Sequence, residues 1–125
     1  MAIAVRSLIA LLSLLYFYVA ATFLFTPLVG AENFALEPVG IQGMATLRAD
    51  FGAYFLVTGG AMLWGTAANR PMLYWVAIAI LGITFVVRCF SLMVDGVGAD
   101  PFAPMAVEAV TIVLLLTGMK VHKPP

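Results

Sequence analysis

Four long apolar stretches alternate with short polar connections along the chain, at residues 7–28, 45–68, 72–94 and 101–119. An α-helix rises 1.5 Å per residue, so about 20 mostly apolar residues are needed to cross a bilayer. Each stretch meets that length. None shows the alternation of apolar and polar positions typical of membrane strands. The pattern predicts a single all-α domain over residues 1–125, an integral membrane four-helix bundle.

Proline and glycine mark the predicted ends of these helices. Pro27 discourages continuation of the first helix, and Pro71 suits the first position of the third. Asp95 and Gly96 end the third helix. The first stretch loosely resembles a signal peptide, but its apolar run is longer than the roughly 7–15 residues typical of one. We therefore expect it to remain as an uncleaved helix.

The charges are distributed unequally between the two ends of these helices. All six acids lie where the first and second or the third and fourth stretches meet: Glu32, Glu37, Asp50, Asp95, Asp100 and Glu108. The termini and the remaining connection hold Arg6, Arg70, Lys120 and Lys123. Because basic loops and ends stay cytoplasmic, we expect both termini and residues 69–71 inside the cell. Residues 31–44 and 95–103 are then expected outside.

Composition excludes several classes of function. The chain is 64% hydrophobic and only 10% charged, whereas soluble domains are about half apolar and a quarter charged. Its net charge is zero and its basic residues form no cluster, so we expect no nucleic-acid partner. One cysteine, Cys89, cannot form an internal disulfide. We assign no metal site, cofactor or catalytic residue, and interpret the lone His122 as a solvated tail residue.

Two further patterns are interpreted structurally. Trp64, Tyr74 and Trp75 cluster at the predicted cytoplasmic interface, where aromatic rings anchor helices at the level of the headgroups. Gly52 and Gly59 are seven residues apart on the second stretch. Small residues at such spacing let helices approach closely. We read the pair as packing in preference to a dimerisation signal.

Glu108 is the acid that most needs a partner. It lies eight residues beyond Asp100, which is about 12 Å along a helix. An unpaired carboxylate at that depth costs several kcal/mol. Arg88 lies about 10 Å before Asp95 on the third stretch, at comparable depth. We predict an Arg88–Glu108 pair between the third and fourth helices, in which two parallel hydrogen bonds can form.

Arg48 and Asp50 are two residues apart and cannot share a helix face. We favour Asp50 pointing inward, with Tyr54 one turn below it, and Arg48 pointing toward a neighbour or the interface. A ligand-binding or structural polar cluster follows, made of Arg48, Asp50, Tyr54, Arg88, Asp95 and Glu108.

These same residues carry a family resemblance. Residues 47–54 read Leu-Arg-Ala-Asp-Phe-Gly-Ala-Tyr, followed by Arg88, Asp95-Gly96 and Glu108. This pattern resembles the small four-span bacterial membrane proteins classed as domain of unknown function 4345, and more distantly the DoxX-like proteins. The resemblance spans nearly the whole chain, and residues 48–52 are its most specific part. It implies a multi-pass protein of the bacterial inner membrane, and implies no activity, substrate or cofactor.

Three functions stay open at this point. The favoured one is binding, either of a lipid or small hydrophobic ligand in the outer leaflet or of a larger membrane complex or second copy. A small proton-coupled transporter that uses Arg88 and Glu108 is the second, although its charges occupy one leaflet and transport sites usually lie at the midplane. The third is an enzyme that uses Asp50 or Glu108 as acid or base on a lipid-like substrate. Pairing with arginine disfavours that role, because it stabilises the charged carboxylate.

Overall fold

The computed structural model describes residues 1–122, and every regular element among them is helical. This confirms the all-α class; Lys123 lies outside the described residues. Six α-helices are joined by one π-helical turn and one 3-10 turn. In chain order they are α1 (Ala2–Phe25), α2 (Pro27–Asn33), α3 (Gly40–Thr46), the π turn (Leu47–Phe51), α4 (Gly52–Ala67), the 3-10 turn (Pro71–Leu73), α5 (Tyr74–Asp95) and α6 (Phe102–Val121).

Three helical segments are long and apolar enough to cross a membrane: Ala2–Phe25, Pro71–Asp95 and Phe102–Val121. They coincide with the first, third and fourth apolar stretches. Their outward faces are apolar, as at Val86, Val110 and Val113, which are 66%, 64% and 63% exposed. Water-soluble proteins rarely expose continuous apolar surfaces of this kind. The periphery of the fold is therefore suited to a hydrocarbon environment.

The second apolar stretch forms a helix with a widened turn inside it. α3, the π turn and α4 follow one another with no break in the chain, over 7, 5 and 16 residues. Thr46 and Gly52, at the two junctions, keep right-handed helical backbone angles. The helical path begins at Gly40, earlier than the predicted residue 45. π turns inside α-helices occur frequently at functional sites.

Each long helix packs against two others. α1 contacts α4 and α6, and α5 contacts the same two helices. Gly59 lets α1 and α4 approach closely, because a methyl group placed on it would lie 3.1 Å from Tyr16 Cβ. Gly52 similarly faces Leu24 of α1. The glycine pair therefore serves packing within the chain, as interpreted from the sequence.

The connection after α1 folds back over one end of the helices. α1 ends at Phe25, and Pro27 begins α2 at its first position. The amide of Leu36 donates to the carbonyl of Ala31, which tightens the chain after α2. This fold places the Phe34 ring 5.3 Å from that of Phe23, between centroids. We call this end, where α1 and α5 stop and α6 begins, the acid-bearing end.

The opposite end is closed by Tyr74. Its side chain is fully buried, so the prediction that Tyr74 anchors at the interface is wrong. The Tyr74 hydroxyl lies 2.9 Å from Thr66 Oγ1, and its ring lies edge-on to that of His122. His122 is itself buried, with Nδ1 2.9 Å from the Gly118 carbonyl oxygen. The solvated tail position expected for His122 is therefore also wrong.

Arg6 strengthens this closed end from α1. Its Nη2 donates to the backbone carbonyl of Thr66 over 2.9 Å. Trp64 and Trp75 remain 65% and 48% exposed, as expected of aromatic residues that face an interface. The Tyr74 end thus combines a packed interior with exposed indole rings.

Candidate functional site

An ion pair joins α5 to α6 near the acid-bearing end. Arg88 Nε lies 2.9 Å from Glu108 Oε1, which confirms the predicted pair. The Glu108 side chain is only 7% exposed, whereas that of Arg88 is 37% exposed. It is the one ion pair within residues 1–122. The contact uses a single N–H, so only one of the two parallel hydrogen bonds that such a pair can make is formed.

This single contact leaves hydrogen-bonding groups free on both partners. Glu108 Oε2 is buried and has no hydrogen-bond partner within residues 1–122. The guanidinium of Arg88 engages these residues through Nε, and neither Nη atom donates to any of them. A buried acceptor and unengaged donors therefore occur on the same pair of side chains. Buried polar groups normally have partners, so Glu108 Oε2 calls for an explanation.

A cavity of about 210 Å³ opens beside Glu108. Residues from α1, α4, α5 and α6 line it, together with Phe34 from the folded connection. Its walls are mostly apolar: Leu15, Val19, Phe34, Phe55, Pro104 and Val107. Four polar side chains also reach it: Tyr16, Tyr54, Arg88 and Glu108. A few polar groups within an apolar concavity is the usual composition of a small-molecule site.

Tyr16 was not among the residues singled out from the sequence. It is buried on α1, and its hydroxyl lies 3.4 Å from Thr111 Oγ1 of α6. Thr111 Oγ1 donates in turn to the Val107 carbonyl at 2.6 Å. A tyrosine in the middle of an apolar helix needs a partner for its hydroxyl. That need was the signal available in the sequence.

A second cavity, of about 280 Å³, adjoins the first. It shares Phe34, Tyr54, Phe55 and Arg88 with the first cavity. Asp50, Phe51 and Thr84 complete its lining. Tyr54 and Arg88 are therefore the two polar residues that line both cavities.

The π turn determines where Arg48 and Asp50 lie. Arg48 Nε donates to the Leu24 carbonyl of α1 over 3.2 Å, so Arg48 faces a neighbouring helix as expected. Asp50 is exposed, and the prediction that it points inward is wrong in that respect. Its side chain nevertheless borders the second cavity together with Tyr54. Because a π turn is wider than an α-helical turn, Asp50 lies on a different helix face from the one that regular α-helical spacing predicts.

Asp95 does not join the cluster. It lies at the last position of α5, is exposed, and accepts a hydrogen bond from Ser91 Oγ at 2.9 Å. Ser91 is on the same helix, so this contact links no helices. The structure thus brings together Tyr54, Arg88 and Glu108, places Asp50 at the edge, and leaves Arg48 and Asp95 outside.

No family model matches the chain, and no curated protein or solved structure matches it. The protein is all-helical over residues 1–122, has three helices suited to a membrane, and holds a buried Arg–Glu pair beside an apolar cavity.

Proposed function

We propose that this protein is a four-span protein of the bacterial inner membrane that binds a lipid or small hydrophobic ligand in the outer leaflet. One observation carries the proposal. Glu108 Oε2 is buried without a partner within residues 1–122, on the wall of an otherwise apolar cavity. A bound molecule that donates a hydrogen bond would satisfy it.

The four-span topology is supported by the continuous helical path from α3 through α4. The α4 helix alone has 16 residues, fewer than the roughly 20 that a span requires. Together with the π turn and α3 it is long enough. The distribution of basic residues supports cytoplasmic termini, and the resemblance to the domain of unknown function 4345 family supports a bacterial inner membrane.

Binding accounts for the site better than transport does. The cavities lie toward the acid-bearing end, while Tyr74 fills the opposite end of the same helices. A carrier needs a route to both sides, with its site near the midplane. Catalysis by Glu108 is also less favoured, because its Oε1 is already engaged by Arg88 Nε at 2.9 Å.

Native mass spectrometry of the protein in lipid nanodiscs tests this function. We expect a bound small molecule to stay with the wild-type protein after the bulk lipid is removed. Val107→Trp, which fills the first cavity, should abolish that adduct. Val110→Trp on the outward face of the same helix, 64% exposed and outside the cavity lining, should retain it. A wild-type protein without any adduct, or equal retention in both variants, contradicts the proposal.

A further inference from the structure

We infer that the ligand is an uncharged amphiphile with a hydroxyl head and a single hydrocarbon chain, a long-chain alcohol in chemical class. This inference rests on the proposed function and specifies the chemistry of its ligand. It starts from the charge of the first cavity. Arg88 and Glu108 are the charged residues in its lining, and they neutralise each other.

A neutral site disfavours a charged head. A carboxylate or phosphate would place a second anion beside buried Glu108, and an ammonium would place a second cation beside Arg88. An uncompensated charge in an apolar site is costly. Asp50 adds a further negative charge at the exposed edge of the second cavity. It disfavours anions still more.

The free hydrogen-bonding groups favour a hydroxyl. Glu108 Oε2 accepts and cannot donate once ionised, while the Arg88 Nη atoms donate and cannot accept. A hydroxyl can donate to Glu108 and accept from Arg88 at the same time. An ammonium group has no acceptor, and a carboxylate has no donor. The hydroxyl is therefore the smallest head that serves both partners.

The size of the cavity favours a single chain. Pockets that enclose drug-sized molecules measure about 300–1,000 Å³, whereas the first cavity measures about 210 Å³. Its apolar walls include Leu15 and Val107, which are 47% and 45% exposed at the surface of the helices. A ligand longer than the cavity would extend past these exposed residues toward the surrounding lipid. A single hydrocarbon chain can do this more easily than a bulky or branched body.

A series of ligands with the same chain and different heads tests the inference. Dodecanol, dodecanoate and dodecylamine are titrated at a pH between the pKa values of the membrane-bound acid and amine, so that the last two are ionised. Binding is measured by native mass spectrometry in nanodiscs, with the partition into empty nanodiscs subtracted. We expect wild-type protein to prefer dodecanol by about tenfold or more, because a site built around a hydroxyl rejects heads that leave its polar groups unpaired.

Charge-changing variants should then reverse the preference. Glu108→Gln keeps the shape of the side chain and leaves Arg88 uncompensated, so dodecanoate should become the preferred ligand. Arg88→Met leaves Glu108 uncompensated and should favour dodecylamine, which supplies an independent readout if the first variant does not fold. Glu37→Gln makes the same chemical change at an exposed acid outside both cavities, and should keep the wild-type order.

Several outcomes overturn the inference. Wild-type protein that binds dodecanoate or dodecylamine as tightly as dodecanol has no preference for a neutral head. An unchanged order of ligand affinities in folded Glu108→Gln and Arg88→Met variants shows that the ion pair does not select the head group. If a co-purified molecule is present and dodecanol does not bind, the ligand class is wrong while the binding function stands. If neither is seen, both are wrong.

Discussion

Arg88 Nε and Glu108 Oε1 are 2.9 Å apart, yet the two residues experience different surroundings. The Glu108 side chain is 7% exposed, and the Arg88 side chain is 37% exposed. The long arginine stem can carry its charge toward polar surroundings if the pair is broken. The short glutamate side chain cannot do so. The pair is therefore asymmetric, and its two halves should respond differently to substitution.

Arg88→Met should lower the free energy of unfolding by about 3 kcal/mol, the lower end of the range for breaking a buried ion pair. The reason is that Glu108 would stay buried without a cation. Glu108→Gln should cost only about 1 kcal/mol, because Arg88 is partly exposed and exposed ion pairs contribute little. Reversible unfolding in detergent micelles measures both values.

The double variant Arg88→Met with Glu108→Leu should recover most of the stability, because an apolar pair of similar volume often replaces a buried ion pair without loss. Glu37→Gln, at an exposed acid, should change the free energy of unfolding by less than about 0.5 kcal/mol. Equal losses for Arg88→Met and Glu108→Gln would contradict the asymmetry described above.

Gly65→Ala should destabilise the fold by about 1–3 kcal/mol, the usual cost of overpacking a core. The added methyl group would lie 2.7 Å from Cε1 of the buried Tyr74 ring. Gly60→Ala on the same helix is the matched control, because no heavy atom lies within 4 Å of its added methyl group. Thermal unfolding of the two variants checks the difference. A Gly65→Ala protein as stable as Gly60→Ala would show that Tyr74 can shift without cost.

Tyr74 and Thr66 should be energetically coupled through their hydroxyl groups, which lie 2.9 Å apart. A double-mutant cycle with Tyr74→Phe and Thr66→Val should give a coupling of about 0.6 kcal/mol, the average for hydrogen bonds between membrane helices. Thr117→Val provides the control, because Thr117 Oγ1 donates to the Val113 carbonyl of its own helix. No coupling is expected between Thr117→Val and Tyr74→Phe. A coupling energy near zero for both cycles would show that the Tyr74–Thr66 hydrogen bond does not stabilise this end of the helices.

Single cysteines should report the proposed topology. In a Cys89→Ser background, Glu37→Cys and Asp100→Cys should react with a membrane-impermeant maleimide in intact cells. Arg70→Cys should react only after the cells are permeabilised. All three positions are exposed, so access depends on the side of the membrane. Labelling of Arg70→Cys in intact cells would mean that the Gly40–Ala67 path does not cross.

The sequence was sufficient to predict a contact where burying a group without a partner is costly and the chain offers one suitable partner. Glu108 needed a cation at its own depth, and Arg88 was the arginine on the adjoining helix at that depth, so their contact could be predicted. The ends of the third stretch followed from the backbone constraints of Pro71 and Gly96. The first inference rests on the cost of an unpaired buried charge, and the second on local backbone rules.

The sequence was insufficient to place a side chain that is compatible with two different environments. Tyr74 suits both a membrane interface and a packed core. The small Gly65 and Gly118 leave room for its ring in the core, and Thr66 provides a partner for its hydroxyl. The helix face on which Asp50 lies depends on a π turn, and no local sequence pattern predicts that turn. The cavity depends on how four helices pack against one another. The apolar stretches determine the lengths of these helices, but they do not determine the packing.

Tyr74 is buried between Gly65 and Gly118 and fills one end of the helices. Because Tyr74 fills that end, a ligand bound beside Glu108, as proposed, cannot leave past it and would exchange with the bilayer through the exposed side of the cavity at Leu15 and Val107. These two exposed side chains would then control how long the proposed ligand stays bound.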